Sequence, residues 1–326
     1  MKLRKFGNSG LQVSEIGFGA WALGESWWGK QDDKESLKSL HRAAELGANF
    51  IDTAQVYGDG RSESIIARFR KEWKGDLTIA TKTPPEAGEW PPSPYDPPSV
   101  AYSPAYLRAN VEKRLKALDV ECIDILQLHS WTRAWNRNPA PFETLRRLRE
   151  EGKIRLIGVS TPEHDQNSVV DLIKGGWVDS VQVIFNLFEQ EPAAEILPAA
   201  AEHGVGIIVR MAFDEGALTG KFNRQTVFPK GDFRSDYFRG ERLGRVVDRV
   251  ERIRKDLEGS GYTLPQAALK FSLGHPAVST VIAGIRNPAQ AEMNLAVSDL
   301  PDLPKTLQEK LRKHNWRRGI WYADHW

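Results

Sequence analysis

Short apolar runs rich in Ile, Val and Leu recur along the chain, and amphipathic segments separate them. Residues 16–23, 49–54, 76–82, 122–129, 153–160, 178–185, 205–211 and 279–284 have the length and β-branched content of buried strands. Residues 32–47, 62–73, 103–119, 139–152, 162–175, 192–204, 239–259 and 288–298 follow them in turn and read as helices. Strands that alternate with helices imply a parallel sheet with crossover connections. Eight such units predict an α/β fold of the closed (β/α)8 TIM-barrel type rather than an open doubly wound sheet. Gly47, Gly152 and Gly204 sit where a helix C-terminus needs a residue free to turn left-handed. Ahead of the first strand, KLRKFGNSGLQVSEI predicts a β-hairpin turning at Asn8-Ser9-Gly10. No linker or shift in composition divides the chain. Barrels reach ~250 residues or more as one unit, so residues 1–326 are expected to form a single domain.

Two stretches resist this pattern. The Pro-rich segment 83–99 follows the third strand, and 212–238 follows the seventh. Both leave strands at the end where barrel enzymes assemble their sites, and long loops in compact domains tend to be functional.

Composition narrows the function. Hydrophobic residues make up 40% of the chain, enough for a large core. The net charge of +2 gives no electrostatic case for nucleic acid or anionic lipid. A single cysteine, Cys122, allows no internal disulfide. No histidine pair has ligand spacing, so no metal is expected. No run approaches the ~18 apolar residues of a membrane span, and the first residues lack a secretory signal, so a cytoplasmic protein is expected.

The predicted strand ends carry the chemistry. The second strand ends in Asp52, with Tyr57 five residues on; the third ends in Lys82 and the fourth in His129. Each alone has a bland explanation as a cap, a packing ring, a solvated charge or a hydrogen-bonded imidazole. Together they bring a carboxylate, a phenol, an ammonium and an imidazole to one mouth. A phenol has a pKa near ~10, and a neighbouring ammonium is expected to lower it. Asp52 can balance Lys82, and His129 can orient a substrate oxygen. A general acid and an oxygen-orienting group suit carbonyl reduction, with hydride supplied by a nicotinamide or flavin cofactor.

At this point the chain resembles a family. FIDTAQVYG (50–58), ATK (80–82), LQLH (126–129), GVS (158–160) and ALTGK (217–221) are similar to motifs of the aldo-keto reductase superfamily, and the likeness spans almost the whole chain. The resemblance implies NADP(H) extended across the barrel mouth, bound before the substrate, and a catalytic tetrad of Asp52, Tyr57, Lys82 and His129. It implies that Gly19 and Trp21 line the cofactor, with Asp52 beside it, and that Ser160 and Gln182 hold the nicotinamide carboxamide. Thr161 stands where an Asn is usual. Phe213, Gly216, Leu218 and Gly220 match the loop over the pyrophosphate. Arg210 replaces an aromatic that commonly stacks on the nicotinamide. Two roles stay open for it: stacking, which would favour the reduced ring, or pairing with the pyrophosphate. GFGAWALG (17–24) lacks the spacing of a Rossmann fingerprint.

After the eighth strand, which ends at Gly284, Asn287 and Pro288 predict a helix start suited to an anion, with Arg286 beside it. The resemblance places the adenosine 2′-phosphate at Arg286 and the adenine near Gln290 and Asn294. Met293 stands where an acidic adenine contact is common. NADPH is therefore the expected cofactor. Several of the 11 tryptophans fall near the predicted mouth, and Trp28, Trp90 and Trp131 suggest an aromatic wall. Such a wall suits a flat apolar carbonyl compound or a sugar. The expected activity is hydride transfer from NADPH to a small aldehyde or ketone. The alternative is a non-catalytic NADPH-sensing regulatory subunit, since barrels resembling this family also serve that role.

Overall fold

The computed structural model describes residues 1–24 and 29–316. An antiparallel hairpin of β1 (Leu3–Lys5) and β2 (Gln12–Ser14) precedes eight parallel strands. These are β3 (Ile16–Gly19), β4 (Phe50–Asp52), β5 (Thr78–Thr83), β6 (Ile123–His129), β7 (Ile154–Ser160), β8 (Ser180–Ile184), β9 (Gly206–Arg210) and β10 (Val278–Gly284). They close in sequence order, with β10 hydrogen-bonded to both β9 and β3. The expected (β/α)8 barrel and its N-terminal hairpin are therefore present. Gly47, Gly152 and Gly204 have φ of 90°, 75° and 68°, the left-handed values that end their helices. The segment 16–23 is not one strand: it leaves the barrel at Gly19 and tightens into a single 3-10 turn, Trp21–Gly24.

The eight predicted units leave out four α-helices among the described residues: Pro98–Ala101, Arg234–Tyr237, Lys305–Arg312 and, the longest of them, Leu264–Leu273. Leu264–Leu273 lies between the Arg242–Leu257 helix and β10. Its start is signalled by Thr263, whose N–H donates to the Gln266 side chain at 2.9 Å, and by Pro265 in the first turn.

Two apolar layers hold the barrel. Outward-facing strand residues pack under the helices. Inside, Phe50, Ala80, Ile125, Leu156, Ile208 and Ile282 form a separate cluster, closed by Phe6 and Val13 of the hairpin. Side chains in a strand alternate faces. Two residues further along each strand, the inward position therefore becomes Asp52, Lys82, Gln127, Gly158, Arg210 and Gly284. The same strands that build an apolar interior thus raise a polar layer above it, toward the mouth.

Below that interior, the hairpin end carries a charge network of its own. Arg4 pairs with buried Glu15 at 2.9 Å and donates to the carbonyls of Leu273 and Val278. Glu15 also accepts from Ser298 Oγ at 2.9 Å, and buried Lys270 stands 4.0 Å from it and 3.4 Å from Asp302.

Candidate active site

Asp52, Lys82 and Tyr57 meet at the top of the barrel. Lys82 Nζ donates to Asp52 Oδ2 at 2.6 Å, to the Thr53 carbonyl at 2.8 Å and to Tyr57 Oη at 3.2 Å. All three donors of the ammonium are thereby used, which a fully buried charge requires. Asp52 Oδ1 accepts from Gln182 Nε2 at 2.7 Å and more loosely from Gln127 at 3.4 Å. Ser160 Oγ is 3.5 Å from Gln182 Oε1, so Ser160, Gln182 and Asp52 form one buried strip across the floor of the mouth.

Tyr57 reaches this cluster from the loop after β4, and backbone contact fixes it there. A side chain at Gly24 would meet the Tyr57 carbonyl carbon at 2.5 Å, and one at Gly58 (φ 67°) the Gly24 carbonyl oxygen at 2.4 Å. Only glycines let the two loops touch so closely. The ring lies beside Trp21, with centroids 6.3 Å apart, and Trp21 in turn contacts Phe233 at 5.0 Å. His129 ends β6, with its Nδ1 buried and without a hydrogen-bond partner among the described residues, and Trp90 stands edge-on to it at 4.8 Å.

Electrostatics assign the protonation states. Burial raises the Tyr57 phenol above its ordinary value, although Lys82 pulls the other way. This corrects the expectation that the ammonium would leave the phenol below its ordinary range: desolvation of a phenolate costs more than Lys82 returns. Lys82 is itself raised: burial opposes its charge, and the Asp52 carboxylate and Tyr57 outweigh that. His129 falls well below an ordinary imidazole, through burial and through the charges of Lys82 and Arg210. At neutral pH the cluster holds a protonated phenol, an ammonium and a neutral imidazole.

The other expected positions divide into three groups. At the mouth, Arg210 ends β9, donates to the Thr161 carbonyl at 3.2 Å, and its charge reaches Tyr57 and His129. Phe213, Gly216, Leu218 and Gly220 lie on the connection that follows, where Leu218 is fully buried and Gly216 and Gly220 are left-handed. Beyond β10, the Pro288–Leu295 helix begins as expected, with the Asn287 side chain accepting from Gln290 N–H at 2.9 Å. Arg286 donates to Gln31 Oε1 at 3.1 Å and to the Lys30 carbonyl at 2.9 Å, and the Gln290 side chain accepts from the Arg286 N–H. Asn294 donates to the Gly284 carbonyl, and Gly19 lies tight against Ala283. Trp90 is half exposed at the mouth.

Trp131, expected on the pocket wall, is instead fully buried: it packs on Trp135 and Phe142, and its N–H donates to Asn136 Oδ1 at 2.8 Å. Trp135 is also buried, and its N–H anchors the Pro-rich loop through the Asp96 carbonyl at 2.6 Å. Trp28 lies outside the described residues. Phe233 and Arg234 went unread in the sequence; both belong to a segment without periodicity, so no pattern signalled them.

The closed barrel and the buried Asp52–Lys82–Tyr57 cluster at its mouth agree with one class, the NAD(P)-linked reductases of carbonyl compounds. The chain belongs to the Aldo/keto reductase family, whose model matches residues 15–315. It is 29% identical to aldo-keto reductase YhdN of Bacillus subtilis (strain 168), over 90% of this chain and 87% of that protein. It is 26% identical to the NADH-specific methylglyoxal reductase of Escherichia coli (strain K12), over 95% and 98%. Among solved structures, the glycerol dehydrogenase AKR11B4 from Gluconobacter oxydans superposes with a TM-score of 0.78 at 28% identity, covering 96% of this chain and 94% of that one. Membership makes this chain an oxidoreductase of small carbonyl compounds that uses a nicotinamide cofactor. No helix among the described residues is long and apolar enough to cross a membrane.

Proposed function

We propose that the chain reduces an aldehyde or ketone with NADPH, with Tyr57 as the general acid. One observation carries this reading: Lys82 Nζ bonds both Asp52 and Tyr57 in a buried triad that stands beside a neutral His129. A phenol raised above its ordinary pKa keeps its proton at neutral pH, as an acid in the reductive direction must. When Tyr57 gives that proton to the nascent alkoxide, the Lys82 ammonium stabilises the phenolate left behind. Neutral His129 donates from its ring to the substrate oxygen and sets its direction. Trp90 and Trp21 flank the opening and favour a substrate with an apolar face, aromatic or sugar-like.

The residues fit a nicotinamide dinucleotide, which supplies the hydride when bound. Ser160 and Gln182 would hold its carboxamide, Arg210 and the 213–220 connection its central part, and Arg286 at the Asn287-capped helix its 2′-phosphate. The relative named as NADH-specific makes the choice of cofactor a point to measure. Purified protein mixed with NADPH or NADH and a panel of aromatic and sugar aldehydes tests the reading. The expected result is loss of reduced-nicotinamide absorbance that depends on the aldehyde and is faster with NADPH. Binding of NADPH without turnover on any carbonyl would favour the regulatory alternative.

A further inference from the structure

Outside the tetrad, the most unusual group at the mouth is a carboxyl that the mechanism above does not use. Glu215 is 7% exposed, yet none of the described residues hydrogen-bonds its side chain. Its backbone is left-handed at φ 56°, following Asp214 at φ 44° and preceding Gly216 at φ 94°. A left-handed conformation costs a residue with a Cβ about 1–2 kcal/mol, and at two adjacent positions it persists only where the surroundings enforce it. The enforcing contacts are visible. Tyr237 Oη donates to Asp214 Oδ1 at 3.1 Å, which ties this loop to the Arg234–Tyr237 helix, and Phe233 beside that helix rests on Trp21.

Four charged groups act on Glu215: Asp214 on its own loop, Arg210 at the end of β9, Glu163 on the connection after β7, and Arg234 in the short helix. Arg210 is the cation felt by Tyr57 and His129, and Arg234 is the one felt by Arg286. The loop that carries Glu215 is joined through Tyr237 and Phe233 to Trp21, which lies beside Tyr57.

We propose that Glu215 is a cofactor-binding residue whose carboxyl, buried on a left-handed loop and without a hydrogen-bond partner among the described residues, docks as the neutral acid against the phosphates of the dinucleotide. The inference rests on the cofactor reading above. A dinucleotide that reaches from Tyr57 to Arg286 must bring its acidic linkage across this stretch. A carboxylate there would add like charge at short range in a poorly hydrated place, whereas the acid donates a hydrogen bond to a phosphate oxygen. The two guanidiniums do not offset this, because Arg234 already grips Asp232 through Nε at 2.9 Å and through Nη2, and Asp214 and Glu163 add negative charge. Burial first, and then Asp214, push the Glu215 carboxyl up to about 8, so the acid form is already present at neutral pH.

Binding is then linked to a proton. Below pH 8 the free protein holds the acid and the affinity for NADPH stays flat. Above pH 8 it holds the carboxylate, a proton must be taken up on binding, and Kd rises by about tenfold per pH unit. Tyr57 and Lys82 titrate above this window and His129 below it. The test is fluorescence titration of NADPH and of NADH from pH 7 to pH 9.5 on wild type and Glu215→Gln, with calorimetry of the wild type at pH 9 in two buffers of different ionisation enthalpy. The expected result is a rising Kd and uptake approaching one proton in the wild type, and a flat Kd in Glu215→Gln. Parallel pH curves in the two proteins would overturn the proposal. So would wild-type affinity that improves above pH 8, the mark of a carboxylate chelating ribose hydroxyls. No binding of either nucleotide at any pH would overturn the cofactor reading itself.

Discussion

The two ends of the barrel use the same ionic side chains and leave them in opposite states. At the hairpin end, Glu15 is shared by Arg4 and Ser298, Arg4 also closes on two carbonyls, and Lys270 lies between two carboxylates. At the mouth, Lys82 and Asp52 are as well buried, but the groups around them are left with capacity. His129 Nδ1, Arg210 Nε and Gln127 Oε1 are buried without hydrogen-bond partners among the described residues. Buried polar groups are normally satisfied, and exceptions mark a reserve held for something else. One end spends its charges on the fold; the other holds some back for a ligand.

Four experiments sharpen this contrast, beginning with the largest effect. Tyr57→Phe removes only the acid and keeps the ring, so kcat should fall at least ~10²-fold with nearly unchanged cofactor affinity. Retained turnover would assign the proton to another group. Next, Lys82→Met and Glu15→Gln each break a buried charge network, an event worth about 3–5 kcal/mol. Lys82→Met should lose both stability and turnover, most visibly near neutral pH. Glu15→Gln should lose stability alone, with the kcat of the folded fraction intact. Urea unfolding together with active-site titration separates the two, and equal loss of kcat in both would erase the distinction.

Arg286→Ala should then erode the preference for NADPH over NADH by ~1.5–3 kcal/mol, the worth of a charge-assisted hydrogen bond, read as the ratio of two dissociation constants. Equal affinity for the two cofactors in the wild type would refute the phosphate assignment. The smallest effect concerns acid. His129 is held neutral in the fold and charges freely when unfolded, so the unfolded chain binds more protons as pH falls below the ordinary value of 6.5. Stability should therefore drop by up to ~1.4 kcal/mol per pH unit from that source. His129→Gln should unfold with a shallower dependence between pH 6.5 and 5, and an unchanged slope would place the imidazole in solvent.

Much of this was legible in the sequence. Short β-branched apolar runs, amphipathic segments between them and three glycine stops are local signals, and they were enough to set the barrel and its order. The convergence of Asp52, Tyr57 and Lys82 was legible because strand ends in a barrel share one rim. What escaped depends on contacts between distant segments. Trp131 looked like a rim residue from its place after His129, but the turn after it supplies Asn136 for its N–H and the next helix, Ala140–Glu150, supplies Phe142 for its ring. Glu215 and Phe233 lie in a long connection without periodicity, and only the folded loop shows what they face. The hairpin network joins residue 4 to residue 270, a pairing no local pattern announces.

The two-residue offset between the apolar and polar layers also bears on how this chain can vary. Phe50 and Asp52, Ala80 and Lys82, Ile125 and Gln127 are neighbours on one inward-facing row, so core and chemistry share a reading frame within each strand. One residue inserted or deleted inside β5 would turn Thr81 or Thr83 inward and swing Lys82 under the helices, disabling the enzyme and misfolding it in a single step. The connections carry no such frame. Length changes are thereby confined to segments such as 83–99 and 212–238, and descendants of this sequence can acquire new substrates there while every strand keeps its count.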